Sequence, residues 1–155
     1  MDVVFRTEEA IFNLRVAGIW IEDGYVLIHR AINDKVWSLP GGRVEMKEES
    51  HKSLKREFIE ELGIEIKIDR MLWTVENFFE FNDSFIHEVG FYYLVTSNKR
   101  PSVSMNKPFH GLEGERLIYQ WVPINSLKEV ELYPEFLREK IKDISDQIEH
   151  IVVKQ

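Results

Sequence analysis

Three glutamates that could hold a divalent cation are closely spaced in one segment of the chain: Glu57, Glu60 and Glu61. Residues four apart on a helix lie on the same face, so Glu57 and Glu61 would be neighbours if this segment is helical. Two carboxylates about 4 Å apart repel each other by about 1 kcal/mol in water and by about 4 kcal/mol at a surface-like dielectric. A hard cation relieves this repulsion because it binds carboxylate oxygens. The alternative interpretation is a solvated acidic helix face, since the chain has 27 aspartates and glutamates.

The segment that carries these acids has the pattern of an amphipathic helix over Ser50–Leu62. At about 100° per residue, one apolar stripe is formed by Leu54, Phe58 and Leu62. Ser50 is a residue type that caps helix N-termini, and Gly63 supplies the residue that a left-handed helix ending favours. We therefore expect a helix capped by Ser50 and ended by Gly63, with the acids beside its apolar stripe.

The acids belong to a longer motif within Gly42–Ile64. Its fixed residues are Gly42, Glu48, Arg56, Glu57, Glu60, Glu61 and Gly63, with apolar residues at 58 and 64. This spacing closely resembles the motif of the Nudix hydrolases, and the preceding Trp37-Ser-Leu-Pro-Gly-Gly matches a lead-in common in that family. Two mild departures do not involve a carboxylate: Lys47 stands where many members have glycine, and Phe58 where an aliphatic residue is more usual.

The resemblance implies a reaction and a cofactor. The family cleaves a diphosphate linkage in a nucleoside diphosphate derivative, with water attacking phosphorus. Mg²⁺ or Mn²⁺ is implied as the cofactor, a choice that agrees with carboxylate ligands and with the absence of cysteine. By resemblance, Glu57 and Glu61 are the main metal ligands and Glu60 shares a second ion. The carbonyl oxygen of Gly41 is implied as a further ligand.

The resemblance also assigns structural roles to four motif residues: Gly42, Glu48, Arg56 and Gly63. Glu48 is expected to pair with Arg56 and so to orient the preceding loop against the helix. The general base is less determined, because family members use either a glutamate of the motif or one on a late loop. Glu113 best matches the late-loop acid, and Glu115 is second.

Other residues are candidates for substrate contacts. Arg30 ends a predicted strand near the glycines and could meet a phosphate, and Glu45 could reach the metal ions through water. His87 is the histidine best placed to touch substrate. Trp37 is either a core residue or a platform for a purine. Base stacking or core packing is open for five further aromatic residues: Trp73, Phe78, Phe79, Phe91 and Tyr93.

Length and composition favour one domain over residues 1–155. Hydrophobic residues make up 44% of the chain and charged residues 30%, as in ordinary globular proteins. No apolar run has the ~18 residues of a membrane span, and no signal peptide is visible, so a cytoplasmic protein is expected. The net charge of −7 argues against nucleic-acid binding but not against a small nucleotide substrate. Many relatives dimerise, so a homodimer is possible.

Two hairpins are predicted, Phe12–Ile21 with Tyr25–Arg30 and Met71–Phe81 with Phe85–Ser97. The turns at Asp23-Gly24 and Asn82-Asp83 support them. Glu65–Ile68 also reads as extended, and Gly90 hints at a bulge or a close contact. After a long loop over Asn98–Gly114, which carries Pro101, we expect a strand over Leu117–Val122, a helical turn near Asn125–Leu127 and a terminal helix from Pro134. The apolar stripe of this last helix would be Leu137, Ile141, Ile144, Ile148 and Ile151.

This order of elements predicts an α/β (α+β) fold with helices on both sides of a sheet. The resemblance implies the Nudix α/β/α sandwich around a mixed sheet. Two functions remain in competition: a diphosphohydrolase, and a catalytically silent Nudix-fold module that senses a nucleotide. Loss of motif carboxylates would indicate the second, and none is lost. The substrate stays open among nucleoside triphosphates, nucleotide sugars, ADP-ribose and dinucleoside polyphosphates.

Overall fold

The computed structural model describes residues 1–99 and 106–155, and within them nine strands form one mixed sheet. The strands are β1 Val4–Arg6, β2 Ile11–Glu22, β3 Tyr25–Ala31, β4 Gly41–Arg43, β5 Lys67–Phe81, β6 Ser84–Thr96, β7 Phe109–Gly111, β8 Gly114–Pro123 and β9 Glu149–Lys154. The helices are α1 Ser50–Leu62 and the single-turn α2 Leu137–Lys140, and a 3₁₀ helix spans Ile124–Glu129.

Strand β2 is the centre of the sheet, whose order is β7-β8-β3-β2-β6-β5-β9. It runs parallel to β6, and β5 runs parallel to β9; the other pairs are antiparallel. Pairing between β2 and β3 is confined to their turn, where Ile21 faces Val26. Further along, β4 replaces β3 as the neighbour of β2, with Ala17 opposite Gly41. The sheet therefore opens into a fork, and β4 lies inside it.

Two hydrophobic clusters cover the two faces of the sheet. On one face α1 inserts Leu54 and Phe58, which are at most 1% exposed, against Trp20 and Trp121. On the other face the 3₁₀ helix and α2 cover a cluster that includes Trp73. The expected sandwich of helices around a mixed sheet is confirmed, although its second helical layer is short. Among the described helices, none combines the length and apolarity needed to cross a membrane.

Both predicted hairpins are present. Asp23 and Gly24 have φ values of 50° and 80°, and Asn82 and Asp83 have values of 50° and 63°, as tight hairpin turns require. Gly90 lies in regular register with the opposite strand, and a Cβ there would lie 2.9 Å from the ring of Tyr92. The close contact, not the bulge, is therefore the reason for glycine at this position.

The predicted terminal helix is wrong. Only Leu137–Lys140 is helical, and Glu149–Lys154 forms β9 at the edge of the sheet. Ile151 packs against the core, whereas Ile148 is 63% exposed. The isoleucine spacing fits a helix, but the run Ile-Val-Val is β-branched and alternates between the two faces of the sheet.

Two smaller expectations also need correction. Glu49, not Ser50, is the N-cap of α1, and it makes no side-chain capping bond. The hydroxyl of Ser50 instead hydrogen-bonds to that of Tyr93 at 2.7 Å, so a contact with the sheet replaces the local cap. The predicted loop after β6 contains the short strand β7, and its Pro101 lies outside the described residues.

The C-terminal strand yields a direct test. Ile151→Ala should lower the free energy of unfolding by about 2 kcal/mol, because it removes a side chain that packs on the core. Ile148→Ala should change it by less than about 0.5 kcal/mol, because that side chain is exposed. Urea denaturation measures both variants, and equal losses would favour the helical stripe over the strand.

Candidate active site

Helix α1 brings two of the predicted acids together at the edge of the β2–β3 fork. Glu57 rests against Gly42 of β4, where a Cβ would lie 2.5 Å from the Glu57 carboxyl carbon, so glycine leaves room for the carboxylate. Glu61 is 8% exposed and accepts a hydrogen bond from the Tyr119 hydroxyl at 2.9 Å. The apolar stripe of α1 thus fixes both acids between β4 and β8.

Burial makes this carboxyl pair electrostatically unusual. It raises the pKa of Glu61 from 4.5 to about 7, an effect that the Tyr119 hydrogen bond opposes and the charges of Glu57 and Glu113 reinforce. Burial also raises the pKa of Glu57, against the opposing charge of Arg56. Two acids that share a buried position are stable together when one is protonated or when a cation compensates their charge.

Arg56 organises the acids around the pair. Its Nε and Nη2 donate to the two oxygens of Glu48, each at 3.0 Å, and Ser53 also donates to Glu48. The Arg56 bond is the main reason that the pKa of Glu48 falls to about 2. The expected Glu48–Arg56 pair is therefore confirmed. Arg56 Nη1 also reaches Glu57 at 3.1 Å and Glu60 at 3.2 Å.

Glu60 differs from its neighbours because its side chain is 52% exposed and faces Arg56. Within residues 1–99 and 106–155, no three acidic or histidine side chains stand ready around one point to hold a metal ion. The structure therefore brings Glu57 and Glu61 together and leaves Glu60 beside them. The two paired carboxylates fit a hard divalent cation, because such ions bind carboxylate oxygens.

The glycines before α1 have distinct physical roles. A Cβ on Gly41 would lie 2.0 Å from the carbonyl oxygen of Val16, so glycine there permits β4 to approach β2. Gly63 ends α1 with φ 67° and donates to the Ile59 carbonyl oxygen, as expected. Lys47, which departs from the family's usual glycine, has φ 70°, a conformation that glycine adopts with less strain.

The late loop is anchored to the C-terminal end of α1. The backbone N–H of Leu112 donates to the Glu61 carbonyl oxygen at 2.7 Å, and a Cβ on Gly111 would lie 2.3 Å from that oxygen. Glu113 follows directly, and its side chain is 43% exposed and 3.0 Å from Arg116. The loop therefore holds Glu113 near enough to Glu61 for its charge to raise the Glu61 pKa.

A cleft of about 890 Å³ opens on the face of the sheet opposite α1 and extends to the fork. Arg15, Arg30 and Arg43 all contribute to its lining. Arg30 donates to three carbonyl oxygens, one at the end of β3 and two in the loop that follows it, at 2.8–3.3 Å, and lies 5.1 Å from the Trp37 ring centre. Trp37 is thus a half-buried wall of the cleft, braced by Arg30.

Two sequence candidates lie elsewhere. Glu45 does not line the cleft, and its backbone pairs with Asp2. His87 packs between Phe12 and Phe78 on the opposite face of the sheet. Of the five aromatic residues left open, the cleft lining includes only Phe79 among the residues described.

Several cleft residues escaped the sequence analysis: Asn13, Arg15, His29, Arg43, Asn77 and Glu88. Asn13 and Arg15 share one side of a central strand, and that alternation was the available signal. His29 is 7% exposed; burial, aided by the charge of Arg15, lowers its pKa to about 3, so its imidazole is neutral near pH 7.

Comparison with known proteins agrees with this fold. Residues 12–143 match the NUDIX domain family. A MutT-like protein from Streptomyces ambofaciens is 33% identical over 72 residues, 46% of this chain and 47% of that protein. The match thus spans about half the length of this curated relative. Because the family match covers most of the chain, the protein belongs to the Nudix family.

Solved structures support the same assignment. A MutT NUDIX hydrolase from Burkholderia pseudomallei is similar with 26% identity and a TM-score of 0.58, over 73% of this chain and 84% of that one. A NUDIX hydrolase from Nitrosomonas europaea matches 97% of this chain and 82% of its own, with a TM-score of 0.64 and 14% identity. At 14% identity, the match to the second structure shows a shared fold only.

The buried acid pair predicts a stability effect that depends on pH. The folded-state pKa of Glu61 is raised above 4.5, so the folded protein holds this proton more tightly than the unfolded chain does. The contribution of Glu61 to the free energy of unfolding is therefore fully present below pH 4.5 and is lost as the pH rises through about 7. Without divalent ions, Glu61→Gln should therefore stabilise the protein by about 1–3 kcal/mol near pH 8, and by much less near pH 4.5.

Chemical denaturation in EDTA at the two pH values measures this effect. The matched control is Glu65→Gln, which changes an exposed glutamate just beyond α1. A Glu61→Gln variant that is destabilised at both pH values would contradict the proposed electrostatic cost.

Proposed function

We propose that the protein is a Mg²⁺- or Mn²⁺-dependent pyrophosphohydrolase that cleaves a diphosphate linkage in a nucleoside diphosphate derivative. The observation that carries the proposal is the Glu57–Glu61 pair beside Gly42, at the fork to which a cleft lined by three arginines extends; Glu61 is buried and the Glu57 side chain is 16% exposed. The cleft volume of about 890 Å³ falls within the ~300–1,000 Å³ typical of small-ligand sites. Membership of the Nudix family supports the same reaction class.

The proposed metal ligands are Glu57 and Glu61, with the Gly41 carbonyl oxygen. Glu60, at the exposed edge of α1, is the proposed ligand of a second ion. A bound Mg²⁺ or Mn²⁺ would neutralise charge on the phosphate oxygens and acidify the attacking water. The Arg56–Glu48 pair holds the helix and the preceding loop in place, so that Glu57 stays against Gly42.

The chain's other groups bind the substrate and move a proton. Arg15, Arg30 and Arg43 present guanidinium groups that match phosphate geometry, and Arg30 is already braced by its carbonyl bonds. Glu113 is the proposed general base, because the late loop holds it beside Glu61. A glutamate of α1 is the other candidate for this role. A water-mediated role for Glu45, a cytoplasmic location and a homodimer remain predictions from the sequence.

The activity can be tested with a panel of nucleoside triphosphates, nucleotide sugars, ADP-ribose and dinucleoside polyphosphates. At least one should be hydrolysed with Mg²⁺ or Mn²⁺ and none with EDTA, as mass spectrometry of the products would show. Glu57→Gln and Glu61→Gln should each lower kcat by about 100-fold or more, because each removes a proposed metal ligand. Glu65→Gln should retain wild-type kcat.

Undiminished turnover in either α1 variant would refute the ligand assignment. A wild-type protein that binds nucleotides but hydrolyses none of the panel would instead be a sensing module.

Gly42→Ala tests the space that holds Glu57. The new Cβ would lie 2.5 Å from the Glu57 carboxyl carbon, so the flexible side chain must move away. We expect kcat to fall by about tenfold or more, with little change in Tm. Gly41→Ala is the contrasting variant, because its Cβ would meet the backbone oxygen of Val16 and should lower Tm. Full activity in Gly42→Ala would show that the Glu57 position is unimportant.

A further inference from the structure

A row of polar side chains crosses the floor of the cleft. Asn13 of β2 is the register partner of Glu88 of β6, which in turn faces Asn77 of β5. Gln155, just beyond β9, extends the row through a hydrogen bond to Asn77. Neighbouring strands lie about 4.8 Å apart, so these side chains form a continuous line on one face. The adjacent rows of β6 and β5 are not polar: they hold Ile86 with Phe79, and Gly90 with Val75.

The hydrogen bonds within the row determine which atoms remain available. Asn13 Nδ2 donates to Glu88 Oε2 at 2.8 Å. Because a carboxylate only accepts, this bond orients the Asn13 amide and leaves its Oδ1 as an acceptor. Within residues 1–99 and 106–155, this is the one side-chain hydrogen bond found for Glu88, which is partly buried, so its second oxygen remains an acceptor. Since Asn13 is only 6% exposed, its orientation is well supported by packing.

The distance between the polar row and the arginines of the cleft matches the distance between the base and the phosphates of one nucleotide. Arg15 is two residues from Asn13 on the same side of β2, and Arg43 is its register partner on β4. At about 3.3 Å per residue, the row and the Arg15 position are about 7 Å apart along the strand. Phosphates held by the arginines would therefore leave the base over the row, with Phe79 at its edge.

We propose that Glu88, held by Asn13, reads the nucleobase and selects one with two adjacent N–H donors, as on the N1–H and N2–H edge of guanine. This inference rests on the proposed nucleotide site and names its substrate class. The carboxylate accepts both hydrogen bonds of that edge. Adenine and cytosine each place a ring acceptor beside their amino group, and this acceptor would face the carboxylate. Uracil presents a single N–H between two carbonyl oxygens.

The magnitude of the preference follows from the geometry of paired hydrogen bonds. A well-formed bidentate contact discriminates between bases by about tenfold or more. A carboxylate oxygen of Glu88 that faces an acceptor of the wrong base stays unpaired in the complex, which adds to this difference. The two acceptors therefore favour guanine nucleotides by at least about tenfold over the other three.

Binding without turnover tests the inference separately from the proposed reaction. Isothermal titration in EDTA compares GDP, ADP, CDP and UDP for the wild type and Glu88→Gln. The wild type should bind GDP at least about tenfold more tightly than the others. Glutamine offers one acceptor and one donor, which suits adenine, so the GDP-to-ADP affinity ratio should fall by about tenfold.

Glu76→Gln is the matched control, because Glu76 precedes Asn77 on β5 but faces the opposite side, where it pairs with His150. It should leave the ratio unchanged. Asn13→Ala is the second variant should Glu88→Gln fail to fold, and it should lower the ratio several-fold because it releases the Glu88 carboxylate from the Asn13 amide that orients it.

Equal wild-type affinity for all four diphosphates, tighter binding of a base other than guanine, or an unchanged ratio in a folded Glu88→Gln or Asn13→Ala variant would overturn the inference. Selective GDP binding with no hydrolysis in Mg²⁺ would leave it standing and refute the proposed function. Hydrolysis with no base preference would do the reverse.

Discussion

The site depends on two carboxylates held side by side, that of Glu61 buried and that of Glu57 partly buried. Desolvation alone would expel Glu57 and Glu61 from this position, and their raised pKa values record that cost. The apolar stripe of α1 keeps them there, because Leu54 and Phe58 are docked among tryptophans of the sheet. The packing of the core thus keeps the two carboxylates together, although their proximity is unfavourable until one of them is protonated or a cation binds.

The fork in the sheet connects this pair to the cleft. Because β3 leaves β2 soon after their turn, β4 can enter between them and place Gly42 under Glu57. The acids lie on the α1 side of the fork, and the arginines and the polar row lie on the other face. The two glycines of β4 make this arrangement possible, because a Cβ on Gly41 would meet the backbone of β2 and one on Gly42 would displace the Glu57 carboxylate.

Much of this arrangement was predictable because it depends on local patterns. The family follows from the spacing of the motif, and the two hairpins and the end of α1 at Gly63 follow from turn and capping chemistry; all three are confirmed. The errors arose where tertiary contacts decide. Ser50 bonds to Tyr93 instead of capping α1, and the C-terminal isoleucines join β5 as a strand. The polar row was not foreseen, because its members come from distant segments that only strand register brings together.

The central claim is that the Glu57–Glu61 pair is a cation site, and Mn²⁺ binding followed by electron paramagnetic resonance tests it most directly. The wild type should bind Mn²⁺, and Glu57→Gln and Glu61→Gln should each bind it at least about tenfold more weakly, while Glu65→Gln binds it as the wild type does. Equal Mn²⁺ affinity in the wild type and both α1 variants would contradict the account.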